Sequence, residues 1–173
     1  TNAGTNLSIS TNTLTINPTS DLGYSTDYYV TFANGAILDL ANNAYTGTST
    51  YNFVTVAAPD FTAPTVSSFS PNDAATNVAV GSNIVVTFTE AVKFGAGTIQ
   101  IRAGSASGSV VATYDVANPG ANLSISTNTL TINPSADLST STNYYVTFAS
   151  GAILDLANNA YTGTTIYDFT TAA

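Results

Sequence analysis

An all-β antiparallel sandwich, repeated in tandem every 116 residues, is the fold that three observations on this sequence predict. Apolar and polar residues alternate in short bursts. Clusters of Asn, Gly, Pro and Ser separate the bursts, and no stretch sustains a helical period, so helix is limited to single turns. Finally, the thirteen letters NLSISTNTLTINP at 6–18 recur unchanged at 122–134.

The elements of residues 58–173 follow in order. The segment APDFTAPT (58–65) carries two prolines and reads as a linker. A strand over 64–70 comes next, then Ile84, Val86 and Phe88 alternate in NIVVTF, and Ile99 and Ile101 in TIQI. After a strand over 109–116, Leu123 and Ile125 alternate in LSIS, Leu130 and Ile132 in LTI, Tyr144, Val146 and Phe148 in YYVTF, and Tyr167 and Phe169 in YDF. These alternating residues are the predicted core. Seven or eight strands in about 110 residues have the size and rhythm of an immunoglobulin-like sandwich.

The repeat organises the whole chain. The offset of 116 holds to the end, with 41 of 53 positions identical between 5–57 and 121–173. FANGAILDLANNAYTGT (32–48) returns as FASGAILDLANNAYTGT (148–164). A fold alone does not demand such identity, because cores tolerate wide substitution; recent duplication within an array does explain it. A solenoid repeat runs ~20–50 residues, so this period suits a string of autonomous domains. Residues 58–173 are therefore expected to form one complete repeat. Residues 1–57 are expected to be the C-terminal half of another, needing completion by an upstream repeat or a neighbouring subunit.

Composition excludes several chemistries. The 173 residues include no His, Cys, Met or Trp, so thiolate and imidazole catalysis, structural zinc and disulfides are ruled out. Only two cations stand against ten carboxylates, for a net charge of −8, which opposes nucleic acid and anionic membrane surfaces. No apolar run approaches the ~20 residues of a membrane-spanning helix. Polarity comes instead from 48 Ser and Thr and 18 Asn, and the 18 Tyr and Phe exclude disorder. A cysteine-free chain of this kind fits a bacterial exterior.

Few residues carry candidate chemistry. Leu138, Thr142 and Tyr144 stand at L-x3-T-x-Y, as do Leu22, Thr26 and Tyr28. That spacing is similar to the tyrosine corner of sandwich domains and assigns Tyr28 and Tyr144 a structural hydrogen bond to backbone just upstream. In ILDLANNAY, Asp39 and Asp155 are placed to cap a single helical turn, with one Asn of each following pair in the left-handed region. This reading is favoured over a calcium site begun by the Asp and Asn oxygens, because one carboxylate and two amides fall short of the six to eight oxygens calcium takes. Asp60, Asp73 and Glu90 are the candidate calcium ligands, lying in the linker and at strand ends that would face it. Paired-carboxylate glycoside hydrolysis by Asp60, Asp73, Asp137 or Asp155 is disfavoured, because these acids sit in turns or linkers. Lys93, three residues after Glu90, reads as solvated rather than as half of an intramolecular crosslink. The spaced threonines of TNTLTI are ordinary outward strand residues, and Asn6 and Asn122 open NLS sequons.

The segments TAPTVSSFSPNDAATNVAVGSNIVVTFTEAV (62–92), GTIQI (97–101), LTINPSADL (130–138), YYVTF (144–148), AILDLANNAY (152–161) and YDFTT (167–171) resemble the bacterial Ig-like (Big) repeat family. They are most like the modules of giant cyanobacterial-type surface and motility proteins and S-layer proteins. The family usually has Gly where this chain has Asn42 and Asn158, and both residue types tolerate positive φ. The resemblance implies a non-catalytic structural repeat of a secreted bacterial surface fibre, adhesin or S-layer-like protein. It would act as a stiff spacer or polymer building block whose partners are neighbouring copies of the repeat. The alternative is a carbohydrate- or surface-binding module that presents Tyr24, Tyr29, Tyr45 and Tyr51 to a glycan.

Overall fold

A computed structural model describes residues 6–47, 51–163 and 166–173, and the chain divides into two compact units, Thr1–Pro59 and Asp60–Ala173. Among the described residues every regular element is a strand, and no helix is long and apolar enough to cross a membrane.

Among its described residues the N-terminal unit holds four short strands: β1 (Leu7–Ser10), β2 (Thr13–Ile16), β3 (Asp27–Val30) and β4 (Tyr51–Val54). They form two separate antiparallel hairpin sheets, β1–β2 and β3–β4. Leu7 pairs with Ile16 in the first, and Tyr28 with Phe53 in the second. Leu7, Ile9, Ile16, Tyr51 and Phe53 are exposed, so alternation has produced strands here without producing a core.

Among its described residues the C-terminal unit is a sandwich of eleven strands. In chain order these are β5 (Val66–Ser70), β6 (Ala75–Val78), β7 (Ile84–Phe88), β8 (Val92–Phe94), β9 (Thr98–Ala103) and β10 (Ser109–Asp115), followed by β11 (Leu123–Ser126), β12 (Thr129–Ile132), β13 (Asn143–Phe148), β14 (Ile153–Asp155) and β15 (Asp168–Thr171). One sheet runs β10-β9-β13-β15-β6, the other β11-β12-β7-β5, and β14-β8 form a third, two-stranded ribbon. Period-two alternation decides the burial. In β7 Ile84, Val86 and Phe88 point inward, in β12 Leu130 and Ile132, and in β13 Tyr144, Val146 and Phe148. With Ile99, Ile101 and Phe169 they form the closed core between the sheets. Each such side chain contributes about 1.5–3 kcal/mol when fully buried.

Register joins the two halves of this unit. Leu130 lies opposite Val86 and Ile132 opposite Ile84, while Val146 lies opposite Ile101 and Phe148 opposite Ile99. The pairing of β15 with β6 is parallel, with Phe169 opposite Ala75 and Thr171 opposite Val78.

Strands β6, β8 and β14 add to the seven or eight that alternation predicts. They are three or four residues long, and their pairing is imposed by neighbours rather than by an apolar rhythm. Tyr167 precedes β15 instead of lying in it. Its ring stacks on Phe69 at 4.0 Å between centroids, and its hydroxyl donates to the Pro71 carbonyl at 2.7 Å.

Candidate functional site

The tightest local structure lies at ILDLANNAY. Residues Ile153–Asp155 leave β14, the chain turns, and an isolated bridge pairs Leu154 with Ala160. Asp155 Oδ1 accepts from the Asn159 backbone at 2.7 Å, and Oδ2 accepts from Asn159 Nδ2 at 2.7 Å. Asn158 takes φ of 75°, the left-handed conformation that an Asn tolerates best among non-glycine residues. Asp39 repeats the arrangement with Asn43, and Asn42 takes φ of 67°. Both aspartates thus cap a hairpin-like loop rather than the predicted helical turn. The reason is that the backbone of Asp155 bonds in both directions across the loop, donating to the Asn159 carbonyl and accepting from Asn158. Burial resists ionisation of Asp155, but donors from Asn159, Ala157 and Asn158 together outweigh it and hold the carboxyl below its ordinary range.

Asp155 is 1% exposed, and two further acids converge on it. Carboxylate oxygens of Asp60, Glu90 and Asp155 all lie within 4.8 Å of one another. Asp60 is held there because Asn159 Nδ2 also donates to its backbone carbonyl, at 3.0 Å. Partial burial, followed by repulsion from Asp60 and Asp155, pushes the Glu90 carboxyl up. Of the three predicted calcium ligands the structure unites Asp60 and Glu90 and replaces Asp73 with Asp155. Asp73 lies elsewhere and accepts from the Asp168 backbone at 3.1 Å. The linker sets this outcome: it brings Asp60 to the Asp155 loop, a contact 95 residues away in sequence that no local spacing announces. Three carboxylates supply three of the six to eight oxygens that calcium takes, which leaves water to complete the shell. Lys93 stands nearby and donates from Nζ to the Leu156 carbonyl at 3.2 Å.

The L-x3-T-x-Y positions form matching corners. Tyr144 Oη accepts from the Ser139 backbone and Tyr28 Oη from the Gly23 backbone, both at 2.9 Å and five residues upstream. Thr142 Oγ1 donates to the Thr140 carbonyl, and Thr26 Oγ1 to that of Tyr24, at 2.8 Å each. These hydroxyls are engaged in the turns that fix each corner.

Tyr24, Tyr29, Tyr45 and Tyr51 are all exposed. Three of them have tyrosine counterparts that are not: Tyr145, equivalent to Tyr29, is half-buried, while Tyr161, equivalent to Tyr45, is 7% exposed, and Tyr167, equivalent to Tyr51, is fully buried. Tyr161 and Tyr167 pack into the sandwich, Tyr161 edge-on to Phe88 and Phe148.

The sequence profile of a family described as bacterial Ig-like domain matches residues 1–55 and again residues 60–171. No curated protein sequence matches the chain. The chain belongs to the bacterial Ig-like domain family.

Proposed function

We propose that this protein is a non-catalytic, structural repeat of a secreted bacterial surface assembly — a fibre, adhesin or S-layer-like protein — in which each repeat serves as a spacer. The observation that carries this reading is the near-identity of 5–57 and 121–173, which preserves turns, loops and core alike. Selection on an active site would fix a few residues. An array of interchangeable modules fixes whole domains.

The burial of Tyr161 and Tyr167 also favours a structural role over a glycan-binding one, because two of the four exposed tyrosines, Tyr45 and Tyr51, are core residues in the equivalent setting. Within the same reading, the Asp60–Glu90–Asp155 cluster takes a hard, oxygen-seeking cation such as calcium, which would pin the linker to the module it precedes. An antibody against the chain, applied to intact cells of the source bacterium, is expected to label the outer surface and any filaments seen by electron microscopy. Label confined to the cytoplasm would overturn the proposal.

A further inference from the structure

The N-terminal unit presents an apolar face whose natural cover can be read from the other unit. Two open grooves mark it, one of about 580 Å³ lined by Ile9, Leu14, Leu38 and Tyr45, and one of about 450 Å³ lined by Leu14, Ile16, Val30 and Phe53. Exposed apolar surface of this kind, rimmed by polar residues, marks an interaction site. The equivalents of Leu14, Ile16, Val30, Tyr45 and Phe53 are buried in the C-terminal unit and those of Ile9 and Leu38 half-buried, and the strands that flank them there come from residues 66–115. Strand β12 is flanked by β7, strand β13 by β9, and strand β15 by β6. Strands β2, β3 and β4, at the equivalent positions, have no such neighbours.

Strand lengths carry the same imprint. Thr147 and Phe148 extend β13 because they pair with Gln100 and Ile99 of β9, whereas β3 stops at Val30. Ile153–Asp155 become a strand by pairing with β8, whereas residues 37–39 keep only the Leu38–Ala44 bridge.

We infer that this face is the docking surface for the first half of another copy of the repeat, a segment with the sequence pattern of residues 60–116. It is joined ahead of residue 6 in the way that 60–116 is joined ahead of residue 122. The register transfers directly. Leu14 and Ile16 take the equivalents of Val86 and Ile84, and Val30 takes the equivalent of Ile101. Phe53 takes the equivalent of Ala75 in a parallel pairing, and Tyr51 stacks on the equivalent of Phe69. Asp39 then meets the equivalents of Asp60 and Glu90. Four unpaired sheet edges in the two hairpins are too many for a stable unit of fewer than 60 residues with no disulfide. This inference goes beyond the surface-spacer reading and does not depend on it, since it concerns only what completes the fold.

The test extends the full chain at its N-terminus by a second copy of residues 58–116 and follows amide exchange at 7–16, 27–30 and 51–54. Protection at these amides is expected to rise at least ~100-fold over the unextended chain, and a second cooperative unfolding unit is expected to appear. A second version carries V86K, I99K and I101K in the added copy only. It is expected to give no such protection while residues 60–173 melt unchanged. Fast exchange in the first version would overturn the inference, as would full protection in the monomeric, unextended chain. Protection that grows with the concentration of the unextended chain would overturn it too, because the face would then be pairing with itself.

Discussion

The two units contain the same thirteen-residue segment at 6–18 and 122–134, yet Ile16 is 45% exposed and Ile132 is fully buried. Other features are unchanged between them. The corner bond is 2.9 Å in both, and the Asp-to-Asn backbone bond of the ILDLANNAY loop is 2.7 Å in both. Structure fixed by contacts within about five residues survives transplantation between the units. Structure fixed by partner strands does not. Burial is thus a property of the pairing, and identical side chains have different energetic roles on either side of residue 60.

Substitution at one repeat position in both units tests that contrast most severely. Phe148→Ala removes a core ring and is expected to destabilise the C-terminal unit by about 3–5 kcal/mol in urea unfolding. Phe32→Ala, at the equivalent site, is expected to change stability by less than about 0.5 kcal/mol. Equal losses would show that the N-terminal unit has a core of its own.

Calcium should distinguish the units next. Asp60 and Glu90 stand beside Asp155 and have no counterparts beside Asp39, so saturating calcium is expected to raise the Tm of the C-terminal unit alone. Ligand at 100 times its Kd stabilises by about 2.7 kcal/mol, and chelator should reverse the gain. Identical melts with calcium and with chelator would leave the cluster as mutually repelling surface acids.

Tyr144→Phe deprives the Ser139 amide of its acceptor in a partly buried corner and is expected to cost about 1–3 kcal/mol. Tyr28→Phe should cost far less, since water reaches Gly23.

The smallest effect concerns pH. Asp155 has a depressed pKa, so its contribution is present above the unfolded value of 3.8 and is lost as pH falls through its folded pKa. Glu90 has a raised one, so its contribution is present below 4.5 and is lost as pH rises through its folded pKa. Without metal, Glu90→Gln is therefore expected to raise Tm at pH 7 and to change little at pH 4. A Tm at pH 7 lowered by the substitution would show that Glu90 makes favourable contacts instead.

Alternation made the core legible: Ile84, Val86, Phe88, Ile99, Ile101, Leu130, Ile132, Val146 and Phe148 could be named from period two alone, and all are buried. The corner tyrosines were legible for a related reason, since their partners lie within a short spacing. The short strands β6, β8 and β14 were not, because each exists only through its pairing with a strand far away in sequence, β6 with β15 and β8 with β14. Asp155 was read as a cap in preference to a calcium ligand, and its second setting depends on Asp60 arriving from a linker far away in sequence. Asp73 was misplaced for the same reason in reverse: proximity to the linker in sequence did not become proximity in space.

The parallel pairing of β15 with β6 has a mechanical consequence. The chain enters the C-terminal unit through β5, which pairs with β7, and then β6, and it leaves after β15, so tension on its two ends that passes β5 drags β6 and β15 in opposite directions along their own axes. Hydrogen bonds between them are then loaded side by side and must fail together, unlike a hairpin that unzips one bond at a time. The Ala172 amide bond to the Val78 carbonyl, at 2.7 Å, extends the same patch to the exit of the chain. A module fastened in this way resists stretching most strongly along the line on which a string of such modules would be pulled.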